Sequence, residues 1–542
     1  MTKKSSGERI TLTLLMKPCE SQRLFIDNWF EKERKIYNKA LERIVEIIKI
    51  METDEEYVSL LEQYKKDNNI KKQIGKQLNK IRQKRYNLTQ YGIEPILKEI
   101  RKKYYNNSVP ADINTKLSER LIDSVNKNIF DHSKMHFKKY GELNSLESKK
   151  ADEYIVYDRE TSTVRISTCL KQNHKSKVWN KDHTEYKKAN KKKNVVHEIP
   201  VVVKKKDTYA QHLLTFKICY CRIVRKPFNN GYRYYLQLIL NPEDKQTRML
   251  PNLPKGDVGI DLGPSTVAVS SNKEVILTKL APDGDKYNER IAILSRKLER
   301  LRRLNNPNNY NEDGTIKTPK EGEKLYWKRT KKYIKVLLQL KDAYRRRTAT
   351  TQQQHNILAK KVLSLGCKFI TEEDKASTWM RKSKKLAERS TRTVTKTDKR
   401  TGEIKTYYKF KRKKGLGKSV NNHSPGYFML TLVKKVKQHG GIFETVDTFK
   451  YKASQYHHDI QEYIKPKLNE RTKLIHNNLV QRDLYSAFLL MNSKSSELID
   501  QDKCNKEFNN FLNLHNDVVS MLKFRQNILK ETFPLCMGIK EF

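Results

Sequence analysis

The chain has 542 residues and carries 112 Lys or Arg against 62 Asp or Glu, a formal net charge of +50. That length suits about three or four domains, and a charge this large, spread along the whole chain, exceeds what solubility needs and points to nucleic acid as the neutralising polyanion. The seven cysteines form no C-x-x-C pair, no run of about 18 apolar residues occurs and Met1–Gly7 lacks a signal-peptide core, so neither a disulfide framework, a membrane span nor secretion is expected, and a cytoplasmic protein is.

Arg9–Met16 alternates Ile10, Leu12 and Leu14 with Thr11 and Thr13, which predicts a strand. From Ser21 the period changes. Phe25, Trp29, Ile36, Ala40, Ile44 and Ile48 predict a long amphipathic helix, and shorter stripes follow at Tyr57, Leu60, Leu61 and Tyr64, at Ile70, Ile74, Leu78 and Ile81, and at Leu117, Leu121 and Val125. These stripes are core faces; the opposite faces are rich in Lys and Arg. Residues 150–250 read as β, with strands over Tyr154–Tyr157, Val164–Ile166, Val195–Val203 and Leu213–Cys221, and with Asn229-Asn230-Gly231 as a turn before Tyr232–Leu240. With the first strand they are expected to make a small barrel split by the helical segment. Lys171–Lys206 is expected as a basic loop, either solvated or facing phosphate. Pro242, Pro251 and Pro254 mark a domain boundary.

A β-hairpin is predicted next. Val258 and Ile260 alternate, Gly263-Pro264-Ser265 breaks the strand, and Thr266–Val269 forms the return. Asp261 sits where the first strand runs out, exposed and positioned as a metal ligand must be. A helical pair follows, the first striped by Ile291, Leu294, Leu298 and Leu301, the second by Trp327, Ile334, Leu337 and Leu340 and carrying Arg345, Arg346 and Arg347. Glu372 closes an apolar run after Gly366. Met380–Lys418 then holds 16 Lys or Arg against three acids, with Tyr407, Tyr408 and Phe410 between them. Such a mixture contacts phosphates and stacks on unpaired bases, or is disordered without a ligand. Pro425–Gln438 predicts a helix, Gly441–Thr448 a strand, and the tail from Met491 a helix packing through Phe508, Leu512, Val518, Leu522 and Phe524. Asp483 opens the apolar segment 483–490.

Three acids in the order Asp, Glu, Asp, each at the edge of an element, suit the two-metal site of an RNase H-like nuclease. The sequence resembles the RuvC domain of TnpB and the compact type V CRISPR effectors. The residues that carry the resemblance are G-I-D-L-G-P-S-T-V-A at 259–268, T-E-E-D-K-A-S-T-W at 371–379, G-K-S-V at 417–420 with S-P-G-Y-F at 424–428, and Q-R-D-L-Y-S-A-F-L at 481–489. They span the C-terminal half. The resemblance implies a multi-domain α+β protein: a split β-barrel wedge domain with a helical recognition insertion, then an RNase H-like (RuvC) α/β nuclease domain with a degenerate zinc-finger-like insert. On this reading residues 1–18 and 146–250 form the wedge and 19–145 the recognition lobe. Residues 251–448 form the nuclease domain, with a helical hairpin inserted at 285–365. Residues 449–478 form the degenerate target-nucleic-acid-binding insert, and 479–542 the final nuclease helix and tail.

The implied activity is RNA-guided DNA cleavage. Asp261, Glu372 and Asp483 are the expected catalytic residues and the ligands of two Mg²⁺, with Mn²⁺ as a substitute, because hard ions take oxygen donors. Glu373 and Asp374 compete with Glu372 for that role. The family's zinc cysteines are absent from the insert, and His457, His458 and His476 make a poor tetrahedral set, so zinc is not expected. Candidate nucleic-acid contacts are Arg345, Arg346, Arg347, Arg381, Lys382, Lys384, Lys385, Lys411, Arg412, Lys413, Lys414 and Arg482. The expected partners are a guide RNA and a double-stranded DNA target, or single-stranded DNA, and no membrane; monomer and homodimer both stay open. Two alternatives also stay open: an RNA-guided repressor that does not cut, and a transposase or integrase built on the same fold.

Overall fold

The computed structural model describes residues 9–66, 70–105, 109–131, 133–179, 186–242, 252–319, 325–373, 384–397, 404–412, 416–467 and 469–542. It divides into two compact units, Met1–Arg248 and Met249–Phe542.

The first unit opens with β1 (Ile10–Met16), whose Leu12, Leu14 and Met16 are buried at every second position. Five helices follow: α1 (Glu20–Met51), α2 (Glu55–Lys66), α3 (Lys71–Lys84), α4 (Gln90–Tyr105) and α5 (Ala111–Asp131). The Cys19 N–H donates to Gln22 Oε1 at 3.0 Å and helps to start α1, which buries Trp29, Ile36, Ala40, Ile44 and Ile48 at helical spacing. The α4 helix is an addition to the expected set. It buries Ile93, Leu97 and Ile100, and Pro95 lies within it on the exposed side.

After the helices come β2 (Ser145–Glu147), β3 (Ile155–Asp158), β4 (Thr163–Trp179), β5 (Tyr186–Val202), α6 (Thr208–Leu213), β6 (Lys217–Phe228) and β7 (Gly231–Asn241). The strands form one seven-stranded sheet in the order β2-β6-β7-β1-β5-β4-β3. The first strand thus pairs with β7 and β5, across the whole helical insertion, as expected. The barrel is corrected. Closure needs the two edge strands to meet in register; here they are β2 and β3, of three and four residues, and no ladder joins them. The basic loop is corrected too. Its first part continues the β4–β5 ladder, from Lys171 opposite Asn194 to Trp179 opposite Tyr186, so pairing overrides the weak strand propensity of Lys and Asn. The strand expected from Leu213 starts at Lys217, because Asp207 accepts the Ala210 N–H at 3.0 Å and caps α6 in front of it. Arg225 on β6, 3 % exposed, ties sheet to helix: it donates to Asp27 at 2.8 Å and Glu31 at 3.1 Å on α1, between the rings of Phe30 and Tyr232.

The second unit contains β8 (Asp257–Leu262), β9 (Thr266–Ser271), β10 (Val275–Lys279), α7 (Asn288–Asn305), α8 (Lys331–Leu363), β11 (Lys368–Glu372), β12 (Lys384–Thr397), β13 (Ile404–Arg412), α9 (Gly417–His423), α10 (Pro425–Gln438) and β14 (Ile442–Val446). A short α11 (Thr448–Tyr451) leads to β15 (Tyr456–His457), β16 (Glu462–Tyr463), β17 (Thr472–Ile475), β18 (Asn478–Gln481), α12 (Arg482–Met491) and α13 (Gln501–Asn527). Its central sheet runs β10-β9-β8-β11-β14, antiparallel as far as β8, with β11 parallel to both β8 and β14. One face packs Val258, Ile260 and Phe369 against Ala359 and Val362 of α8 and Phe428 and Leu432 of α10. The other packs Ala268 and Ile370 against Leu484, Ala487 and Phe488 of α12 and Phe508 of α13.

Three expectations change here. The α8 helix starts at Lys331, after Trp327, and buries Val336 and Ala343 against Ile291 and Leu294 of α7. Phe524 is 56 % exposed rather than packed. Part of the basic run pairs as the β12–β13 hairpin; Arg381, Lys382, Lys413, Lys414 and Asp374 lie outside the described residues.

Candidate active site

Strand alternation sorts the acids before any helix is considered. On β8, Val258 and Ile260 face α8 and α10, so Gly259 and Asp261 face the other way. On β11, Phe369 faces α8 and α10 and Ile370 faces α12, so Glu372 shares the side of Ile370. The parallel register pairs Thr371 with Ile260, and Thr371 Oγ1 donates to the Ile260 carbonyl at 2.9 Å. Glu372 and Asp261 therefore follow one another onto neighbouring strand ends, about 4.8 Å apart between strands.

The third acid arrives on a helix. The Gln481 side chain accepts the Leu484 N–H at 2.6 Å and caps α12, which puts Asp483 in its first turn, where the helix dipole favours a carboxylate. Gln481 is fully buried, held by His515 Nε2 at its own N–H and by the Met537 carbonyl. Gly259 lets α12 lie down on β8: a Cβ there would stand 1.9 Å from the Ala487 carbonyl oxygen and 2.4 Å from the Met491 nitrogen. Only a glycine allows that approach.

Asp261, Glu372 and Asp483 line one cavity of about 430 Å³, together with Glu373, Arg471, Arg482, and a wall that includes Met429, Val433 and Phe443. Among the described residues no three His, Cys, Asp or Glu side chains stand close enough to cage a metal, so the acids share the cavity without closing a cage. Arg482 sits 3.3 Å from Asp483 and donates to the Glu470 carbonyl at 2.9 Å. Arg471, from the insert, also reaches this cavity; it stands next to Glu470 in the segment before β17, and nothing in its local pattern singled it out.

The other candidates lie elsewhere. Arg345 and Arg346 both bind the buried Asp342, at 2.6 and 2.9 Å, and Arg347 donates to Asn422 at 3.0 Å, so all three have partners within the fold. Lys384 and Lys385 open β12, and Lys411 and Arg412 end β13, with Lys384 opposite Arg412. Of the aromatics in that hairpin, Tyr408 is 60 % exposed.

The insert consists of two small hairpins, β15–β16 and β17–β18. The buried His458 Nδ1 lies 2.7 Å from the Tyr485 hydroxyl, and its ring meets His476 at 5.1 Å and Phe508 at 4.9 Å between centroids. Burial lowers its pKa to about 4, with His476 adding to the effect. These side chains form an aromatic cluster that anchors the insert to α12 and α13. Lys473 on β17 is pushed down to about 7 by burial, its Nζ donating to the Tyr456 carbonyl at 3.1 Å.

No family model matches the sequence, and no curated protein does. Solved structures with a similar chain path include a Cas12f1–sgRNA–target DNA complex, with a TM-score of 0.46 and 10 % identity, covering 88 % of this chain and 84 % of that one. A CRISPR–Cas12f ternary complex is another, with a TM-score of 0.27 and 12 % identity over 89 % and 83 % of the two chains. Among the described residues no helix is long and apolar enough to cross a membrane.

Proposed function

We propose that this protein is an RNA-guided DNA endonuclease with a single RuvC-type site formed by Asp261, Glu372 and Asp483. The observation that carries the chemistry is that three carboxylates, each 111 residues from the next (372 − 261 and 483 − 372), line one cavity at the end of a mixed sheet. Three antiparallel strands continued by two parallel ones, with helices on both faces, support an RNase H-like reading of this unit.

The donor set suits Mg²⁺ or Mn²⁺, since every candidate ligand offers carboxylate oxygen. A pair of such ions, when bound, supplies an activated water and stabilises the leaving oxygen of a phosphodiester. The chain's own part is to hold Asp261 and Glu372 on adjacent strand ends and Asp483 at a capped helix start. Arg482 and Arg471 bring positive charge to the same cavity for a phosphate, and Met429 and Phe443 give it a water-excluding wall. The guided part of the reading rests on the sequence resemblance and the net charge of +50.

The test is purification of the chain expressed with its native flanking locus, sequencing of the RNA that accompanies it, and Mg²⁺-dependent cleavage of matching DNA beside Asp261→Ala. A discrete RNA with guided cutting that the variant loses supports the proposal. Bound RNA without cutting identifies a repressor, and strand joining without RNA identifies a transposase.

A further inference from the structure

Strand β18 ends at Gln481 and α12 begins at Arg482, so a single residue joins the insert to the helix that carries Asp483. Gln481 is fully buried, and three separate segments hold it. Its side-chain oxygen accepts the Leu484 N–H at 2.6 Å, its side-chain amide donates to the Met537 carbonyl at 3.3 Å, and its own N–H donates to His515 Nε2 on α13 at 2.9 Å. Asp483 stands two residues further on, so a rotation at Gln481 carries the acid with it.

The His515 contact has a defined chemistry. A backbone N–H can only donate, so Nε2 accepts, and the ring proton sits on Nδ1, 2.9 Å from Asn516 Oδ1. The ring is completely buried near Phe511 and Phe542, at 5.8 and 5.6 Å between centroids, and burial lowers its pKa, which keeps it uncharged. A polar ring in such surroundings costs free energy unless its nitrogens are used. One of them is used on the residue that caps α12. The turn that supplies Met537 approaches the cavity as well. Cys536 lines it, and Gly538, at φ +65°, lies so close to Arg471 that a Cβ there would stand 2.5 Å from the Arg471 Cβ.

We propose that His515 is a positioning residue for Asp483, acting through Gln481: with the Met537 carbonyl it fixes the direction in which α12 leaves β18. Without the Nε2 acceptor the buried Gln481 N–H has no partner. The cap regains one only by turning toward another group, and that swings the first turn of α12 and the carboxylate on it. The requirement at position 515 is therefore narrow: an uncharged acceptor where Nε2 stands. This inference rests on the nuclease reading given above. It adds that α13 and the Cys536–Gly538 turn, which carry none of the three acids, set the geometry of the third one.

The test compares two substitutions that are both polar and uncharged. His515→Gln puts its Oε1 where Nε2 stands, whereas the oxygen of His515→Asn falls one atom short. Each full chain, loaded with the RNA that copurifies with it, is given matching DNA and Mg²⁺ under single-turnover conditions. The same chains without metal are followed by hydrogen–deuterium exchange over residues 478–491, the end of the insert and α12. The expected result for His515→Asn is a cleavage rate constant about 10- to 100-fold lower, with faster amide exchange at the start of α12. His515→Gln restores both. A purely stabilising His515 would lower the fraction of protein that cuts and leave the rate constant alone, and that result overturns the proposal. So does an equal loss in the two variants, or wild-type rate constants in both; each of these leaves the nuclease reading intact. A wild-type chain that cuts no matching DNA overturns the nuclease reading, and the positioning role with it.

Discussion

Replacing Gly259 by alanine tests whether close packing of α12 on β8 is what assembles the acids. The new Cβ would stand 1.9 Å from the Ala487 carbonyl oxygen, where real Cβ contacts essentially never fall under 3.0 Å. Both obstructing groups are helix backbone, so no side chain can swing aside. The α12 helix must retreat from the sheet by roughly 1 Å, the difference between those two distances. That helix carries Asp483 at its start and buries Leu484, Ala487 and Phe488 against the sheet. Overpacking of this kind destabilises by about 1–3 kcal/mol, and a misplacement of about 1 Å at a reacting centre lowers a rate by on the order of 10²-fold. Urea unfolding followed by aromatic fluorescence reads the first effect, and single-turnover DNA cleavage by the RNA-loaded protein reads the second. RNA binding by the same preparations separates a misplaced site from a collapsed fold. Gly259→Ala with wild-type stability and cleavage would refute the account of how the site is built.

Further outcomes follow from the same structure. Asp261→Asn, Glu372→Gln and Asp483→Asn each lower cleavage by on the order of 10³-fold, several kcal/mol of lost transition-state stabilisation, while heteroduplex binding stays within about twofold; residual cutting near the wild-type rate would remove that residue from the site. Arg225→Met leaves Asp27 and Glu31 facing a buried apolar side chain and destabilises the first unit by about 3–5 kcal/mol, read as a shift in its urea midpoint. One buried group in each unit responds to pH in the opposite direction to the other. His458 is held neutral with its pKa lowered to about 4 from 6.5, so its contribution is complete above pH 6.5 and is lost as pH falls through 4. That contribution is about 3 kcal/mol at most, and His458→Phe should make the acid slope shallower without removing it, since the buried His355 is lowered to about 4 as well. Glu33, fully buried on α1 with neither oxygen bonded, has its pKa raised to about 8 by burial, so its contribution is present below pH 4.5 and is lost as pH rises through 8. Glu33→Met should flatten that second slope and stabilise the first unit above neutral pH; unchanged unfolding from pH 5 to 9 would show that Glu33 does not titrate there.

Much of this was legible in the chain. Alternation announced β1 and the β8–β9 hairpin, and 3.6-residue stripes announced α1, α3 and α5, because burial on one face imposes those periods directly. The departures share a cause: the deciding interaction is far away in sequence or absent from local propensity. Nothing in Lys171–Trp179 favours a strand; its pairing with β5 does. The open edges of the first sheet depend on which strands meet, not on how many there are. Arg345 and Arg346 look like free cations in sequence, and it is Asp342, on the same helix but buried at 1 % exposure, that binds both. Arg471 was invisible because its position in the cavity is set by the insert's fold.

The sequence by itself supplied the residue types of the proposed site: hard-ion chemistry would call for carboxylates, and Asp261, Glu372 and Asp483 are marked by the blocks around them. It also determined which side of each strand they take, since strand alternation is local. Only the tertiary structure decided that they share a cavity, because each acid lies 111 residues from the next and nothing local spans that distance. The deciding contact is a close one: a glycine on β8 with no side chain to hold the helix away, and a helix whose first turn carries the third acid.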